Sequence, residues 1–274
     1  MVGYQNIELP AAASSSATYW MFKTVTFKDV AGATDEQYFD ITTILPKKAD
    51  GSDWTTAIAA ANNISSGQLV FQKITSDGAY TERCQWTSRG AMTGWQTLPK
   101  DGSAAVQLKP GDYVLKKGEG LIIAYKKTVK CLLQLAGEVE LADMSTTIPA
   151  AASSSATYWV FGGNFTPVKI DIRDVLPKKA DGSDWTTAIA AANNISSGQL
   201  VFQKITSDGA YTDRIQWTSR GAMTGWQTLP KDGSAAHVLA ANEWTLEPGE
   251  GYILAYKKTV PCKLIFPSPI PAAE

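Results

Sequence analysis

The stretch Leu45–Ala105, LPKKADGSDWTTAIAAANNISSGQLVFQKITSDGAYTERCQWTSRGAMTGWQTLPKDGSAA, is repeated as Leu176–Ala236 at an offset of 131. Only two of its 61 positions differ: Glu82 becomes Asp213 and Cys84 becomes Ile215. Upstream, PAAASSSATYW at Pro10–Trp20 returns at Pro149–Trp159, an offset of 139. Copy one therefore carries eight more residues (139 − 131) between Trp20 and Leu45, which we place in the Asp29–Glu36 loop. Downstream the match weakens: Lys117–Cys131 corresponds to Pro248–Cys262, while Val106–Lys116 and His237–Glu247 have been remodelled. The units, residues 1–138 and 139–274, are domain-sized and far longer than a solenoid repeat of roughly 20–50 residues.

Within each unit, short apolar or alternating runs are separated by Gly, Pro and Asp-Gly turn signals every 8–12 residues or so, the rhythm of a sandwich or barrel. Gln68–Ile74 and Ala79–Thr87 read as strands joined by a tight hairpin at Thr75-Ser-Asp-Gly78. Leu121–Tyr125 is apolar on both faces and predicts a central strand. Ser52–Ile64 reads as a short helix: a capping residue leads, and Trp54, Ile58 and Ala61 recur at helical spacing. The expected fold is mainly β, two tandem homologous small β-sandwich or barrel domains, each with one short α-helix.

Composition narrows the function. A net charge of −1 with 19% charged residues gives no field for nucleic acid. No apolar run approaches the roughly 18–20 residues of a membrane helix. The first residues, MVGYQNIELP, lack the basic and apolar regions of a secretory signal. Cys84, Cys131 and Cys262 are too few and too widely spaced for a disulfide scaffold or zinc site, and read as buried small hydrophobes.

The order of turn and strand signals, with Ser76-Asp-Gly78, Gly94-Trp95, Gly118-Glu-Gly120 and Pro248-Gly-Glu-Gly251, resembles β modules of poorly characterised bacterial surface and extracellular proteins. The resemblance covers about half of each unit. It implies a surface or extracellular role and carries over no catalytic residue.

Chemistry is sparse. The sole histidine, His237, faces Val106 in the other copy, which argues against an essential base in two near-identical modules. The recurring carboxylates Asp50, Asp53, Asp77, Glu82, Asp101 and Glu119 mostly occupy turns or a cap position, where backbone hydrogen bonding accounts for them. Lys47–Asp53 lacks the ligand spacing of a calcium loop, and Gly118-Glu-Gly120 precedes no helix to make a phosphate site. We expect no catalytic, cofactor or metal residues. Four tryptophans recur between copies: Trp20, Trp54, Trp86 and Trp95 return as Trp159, Trp185, Trp217 and Trp226. Trp95, set among small and polar residues beside a turn, reads as an exposed ligand or interface residue, as does Trp226, with Arg83 and Arg214 flanking them.

The sequence thus favours a non-enzymatic structural subunit of a larger assembly, a virus-particle component or a bacterial surface filament. Its partners would be copies of itself or other structural subunits, without nucleic acid or membrane insertion. The alternative is a bivalent carbohydrate- or cell-surface-binding protein, with a glycan as ligand.

Overall fold

A computed structural model describes residues 2–29, 34–57, 62–73, 82–141, 144–188, 193–205 and 211–269. The fold is mainly β, built from small antiparallel sheets. In copy one, β1 (Val2–Leu9), β3 (Phe27–Lys28) and β5 (Leu45–Lys48) all pair with β11 (Cys131–Val139). The second sheet runs in the order β2 (Tyr19–Thr24), β10 (Gly120–Tyr125), β6 (Leu69–Gln72), β7 (Arg83–Thr87), β8 (Gly94–Thr97). A two-stranded ribbon, β4 (Phe39–Asp40) with β9 (Val114–Leu115), completes it.

Copy two repeats this plan. β12 (Ser145–Ile148) and β15 (Leu176–Lys179) flank β21 (Cys262–Ile265), and β14 (Ile170–Asp171) pairs with β19 (Thr245–Leu246). Its five-stranded sheet is ordered β13 (Tyr158–Gly163), β20 (Gly251–Tyr256), β16 (Leu200–Ile205), β17 (Tyr211–Thr218), β18 (Gly225–Thr228). Among the described residues β3 has no counterpart in copy two, and it sits beside the inserted loop.

The four main sheets form a propeller-like ring of four blades, which corrects the expectation of two sandwich domains with helices. Apolar residues hold neighbouring blades face to face. Leu9 and Leu133 of the first sheet meet Phe71 and Ile123 of the second in one buried cluster. Ile148, Leu264, Phe202 and Leu254 do the same in copy two. Each such side chain contributes about 1.5–3 kcal/mol on leaving water. The central strand is where the apolar run placed it: β10 lies between β2 and β6, buried throughout.

The expected helix is corrected as well, since among the described residues the helical elements are short 3-10 turns. Residues 58–61 and 189–192 lie outside the described residues. On either side of that gap, Thr55 N–H donates to the Asn62 carbonyl at 2.9 Å and the Asn63 amide reaches the Ala57 carbonyl. Trp54 is buried in the core, and Asp53 makes a strand bridge to Lys47. Neither bond belongs to an i to i−4 helical ladder. The Thr75–Gly78 hairpin also lies outside the described residues. The strands leading to it are present as β6 and β7, antiparallel and in register from Leu69 opposite Trp86 to Gln72 opposite Arg83.

Candidate functional site

Trp95 and Trp226 are core anchors, so their expected exposure is corrected: each is only 2% exposed. In β7 and β8 Trp86 stands opposite Trp95, and the two rings meet edge to face at 5.6 Å. Phe71 packs on the other side at 4.6 Å. The Trp95 indole N–H donates to the Ile44 carbonyl at 2.9 Å, and Trp226 repeats that bond to Val175 at 2.8 Å. An indole whose one donor is satisfied inside a core has no ring face left for a ligand.

Arg83 and Arg214 point the other way. Arg83 lies opposite Gln72 on the outer face of its sheet, and its Nε is buried without a hydrogen-bond partner. Arg214 Nε is in the same condition. Beside Arg83 a groove of about 200 Å³ runs across the outer face, walled by Trp20, Gln72, Leu98, Ala124 and Lys126 among others. Trp20 is 40% exposed and its counterpart Trp159 42%. Every residue lining this groove has the identical residue at the equivalent position of copy two: Trp159, Gln203, Arg214, Leu229, Ala255 and Lys257 continue the match. The aromatic platform beside the arginines is therefore Trp20, with Trp159 in copy two.

Beyond the near-identical block the strands keep some positions and change others. In β2 and β13 the outward Trp20 and Phe22 persist as Trp159 and Phe161. Inward Met21, packed on the core, becomes Val160. In β10 and β20 the outward Gly120, Ile122 and Ala124 are unchanged, while core-facing Leu121 and Ile123 become Tyr252 and Leu254. Alternation in a strand separates the two faces. On the outward side Thr24 becomes Gly163, and on the core side Tyr19 and Tyr125 stay as Tyr158 and Tyr256, so both faces hold kept and changed positions.

Part of that outer face joins the copies. Phe22 and Ile122 pack against Phe161 and Ile253 in a third apolar cluster. Here the backbones come close: a Cβ on Gly251 would lie 2.9 Å from the Phe22 carbonyl carbon, and one on Gly120 would lie 3.0 Å from the Gly162 oxygen. Strand bridges Lys23–Glu250 and Glu119–Gly162 stitch the crossing. Trp20 and Ala124 belong to the remaining, open part of the face.

Other, larger hollows are not matched residue for residue between the copies. A cavity of about 320 Å³ lies beyond Arg83 and Leu98, lined by Thr97, Asp112 and Tyr113. Its counterpart of about 310 Å³ presents Arg214, Thr228, Glu243 and Trp244. There His237 Nε2 lies 2.7 Å from Glu243 Oε1, and the Ala240 N–H together with His237 holds the Glu243 carboxyl below its usual range. Copy one has Val106 at the histidine's position. Between the copies a cleft of about 390 Å³ sets Lys73, Lys116 and Glu119 against Tyr158, Val160 and Leu254. Burial holds the Glu119 carboxyl above its usual range, against its hydrogen bond from Lys116 N–H.

The other candidates take structural roles. Burial pushes the thiols of Cys131 and Cys262 up to about 12, and raises Cys84 further. Asp50 and Asp101 accept from Ser52 and Ser103 within their own turns, bonds that lower both carboxyls. Asp53 pairs with Lys47, and Glu82 with Lys73 at 3.1 Å. Among the described residues no cluster of His, Cys, Asp and Glu could hold a metal ion, and no helix is long and apolar enough to cross a membrane. No protein-family model, curated protein or solved structure matches the chain.

Proposed function

We propose that the protein is a non-enzymatic, bivalent carbohydrate- or cell-surface-binding protein that presents two equal binding faces at the surface of a cell or virus particle. The observation that carries this reading is a groove beside the half-exposed Trp20 whose every lining residue recurs at the equivalent position of copy two. A half-exposed indole beside a cationic groove is the usual platform for a sugar ring, and two copies on one chain convert weak single-site affinity into avidity. Burial of the cysteines, the turn roles of the carboxylates and the restriction of His237 to one copy support a non-catalytic role. A glycan microarray probed with the intact chain tests the proposal, with binding lost on substituting Trp20 and Trp159 together by alanine. Absence of binding to any glycan or cell surface would remove it.

A specific observation favours a second reading, a structural subunit of a virus particle or bacterial surface filament. Among the described residues β1 pairs on one side only, with β11, and its eight residues contain no proline. Tyr4 is 81% exposed on it, and its single charge, Glu8, is tied to Lys130 at 2.6 Å. Natural edges are usually blunted against pairing. An open edge of this length offers hydrogen bonds to another copy or another subunit. Light scattering at high concentration tests this reading, which a strict monomer would eliminate.

A further inference from the structure

Resting on the carbohydrate reading above, we infer that each outer-face groove takes a single acidic sugar unit, its ring laid on Trp20 or Trp159 and its carboxylate held by Arg83 or Arg214.

The argument begins with charge. The groove is lined by two cations, Arg83 and Lys126, and by no carboxylate. Its remaining polar wall is neutral, Thr18 and Gln72, both able to bond hydroxyl groups. A ligand complementary to this lining carries one negative charge, several hydroxyls and an apolar face. A saccharide with a carboxylate has all three.

Arg83 sharpens the assignment. Arg83 lines the groove, and a carboxylate can accept from its two terminal nitrogens together, in a planar geometry that a guanidinium fits and an ammonium does not. Lys126 is exposed on the outward end of the central strand, placed to add charge without demanding geometry. The volume of about 200 Å³ is smaller than the roughly 300–1,000 Å³ of pockets for drug-sized ligands, which sets the occupant at one sugar residue at a chain end or branch. Because all of these residues recur in copy two, the stoichiometry is two per chain.

The test is titration calorimetry of the intact chain with oligosaccharides ending in a sialic or uronic acid, beside the same oligosaccharides with the carboxyl reduced to an alcohol. Expected are two equivalent sites for the acidic sugar and at least tenfold weaker binding after reduction. The paired substitution Arg83→Gln with Arg214→Gln should weaken the acidic sugar by a similar factor and leave the reduced one unchanged. Should that pair unfold the protein, Lys126→Gln with Lys257→Gln, at exposed positions, should lower affinity for the acidic sugar alone by several-fold and flatten its salt dependence. Equal binding of acidic and reduced sugars, unaffected by the lysine pair, would overturn the acidic assignment while leaving the carbohydrate reading standing. Binding of neither would overturn both.

Discussion

Phe22 and Phe161, equivalent residues of the two copies, stack on one another with ring centroids 5.7 Å apart and planes inclined by 24°. The repeat thus meets itself through the same side chain on each side. The two positions are unequal in burial, Phe161 lying within the apolar cluster and Phe22 packing against it.

Phe161→Ala should cost about 3 kcal/mol, in the range for a truncated buried phenylalanine, and Phe22→Ala about 2 kcal/mol. The double variant should cost less than the sum by roughly 0.5–1.5 kcal/mol, because both substitutions remove one shared stacking contact. Urea denaturation of the four proteins measures this. Strict additivity would mean that the rings do not communicate.

The tryptophans divide into two kinds that substitution separates. Trp95→Phe leaves the Ile44 carbonyl without its donor, at a cost of about 1–3 kcal/mol. Trp20→Ala, at a half-exposed site, should cost under about 1 kcal/mol and remove ligand binding from copy one. Thermal melts alongside glycan binding distinguish them. A large loss of stability in Trp20→Ala with binding intact would reverse the assignment.

The cysteines make stability fall at alkaline pH. A thiol raised from its ordinary value to about 12 in the folded chain stays protonated while the unfolded chain ionises from about pH 9 upward. The unfolded state then binds fewer protons, so stability is intact below pH 9 and declines between 9 and 12, by about 1.4 kcal/mol per pH unit for each such thiol. Replacing Cys131 and Cys262 by alanine should make the decline shallower, the remainder belonging to Cys84 and to buried tyrosines such as Tyr125 and Tyr256, whose hydroxyls burial also raises. Native protein should also resist iodoacetamide at pH 8, whereas rapid modification of either residue would contradict its burial.

The edge of β1 yields a prediction for the assembly reading. Tyr4→Lys with Asn6→Lys places two charges on outward positions of the open strand. Any self-association seen by light scattering at high concentration should fall, with the melting temperature nearly unchanged. Association unaffected by the two lysines would place the contact elsewhere.

Much of the architecture was legible in the sequence because its signals are local. The repeat needed only self-comparison. The continuous apolar run at Leu121–Tyr125 marked β10, since only a strand covered on both faces lacks polar alternation. What failed depended on pairings that residue type and spacing do not reveal. Trp54, Ile58 and Ala61 have helical spacing, yet Thr55 N–H donates to the Asn62 carbonyl and the Asn63 amide to the Ala57 carbonyl, bonds outside a helical ladder. Trp95 looked exposed because its neighbours are small and polar, but its partner Ile44 lies 51 residues away. Trp20 looked like one recurring tryptophan among several, until the register of β2 against β10 put it across from Ala124 on the outer face.

Gly120 and Gly251 lie where strands of the two copies cross with no room for a side chain, against the Gly162 oxygen and the Phe22 backbone. A crossing fitted at backbone level admits little sliding or rotation, so the separation between the Trp20 and Trp159 grooves is set by the fold. The molecule is then a caliper. On the proposed carbohydrate-binding reading, ligands displayed at its fixed span would be gripped at both ends and ligands spaced otherwise only at one, which would make the spacing on a target surface as much a part of recognition as the sugar itself.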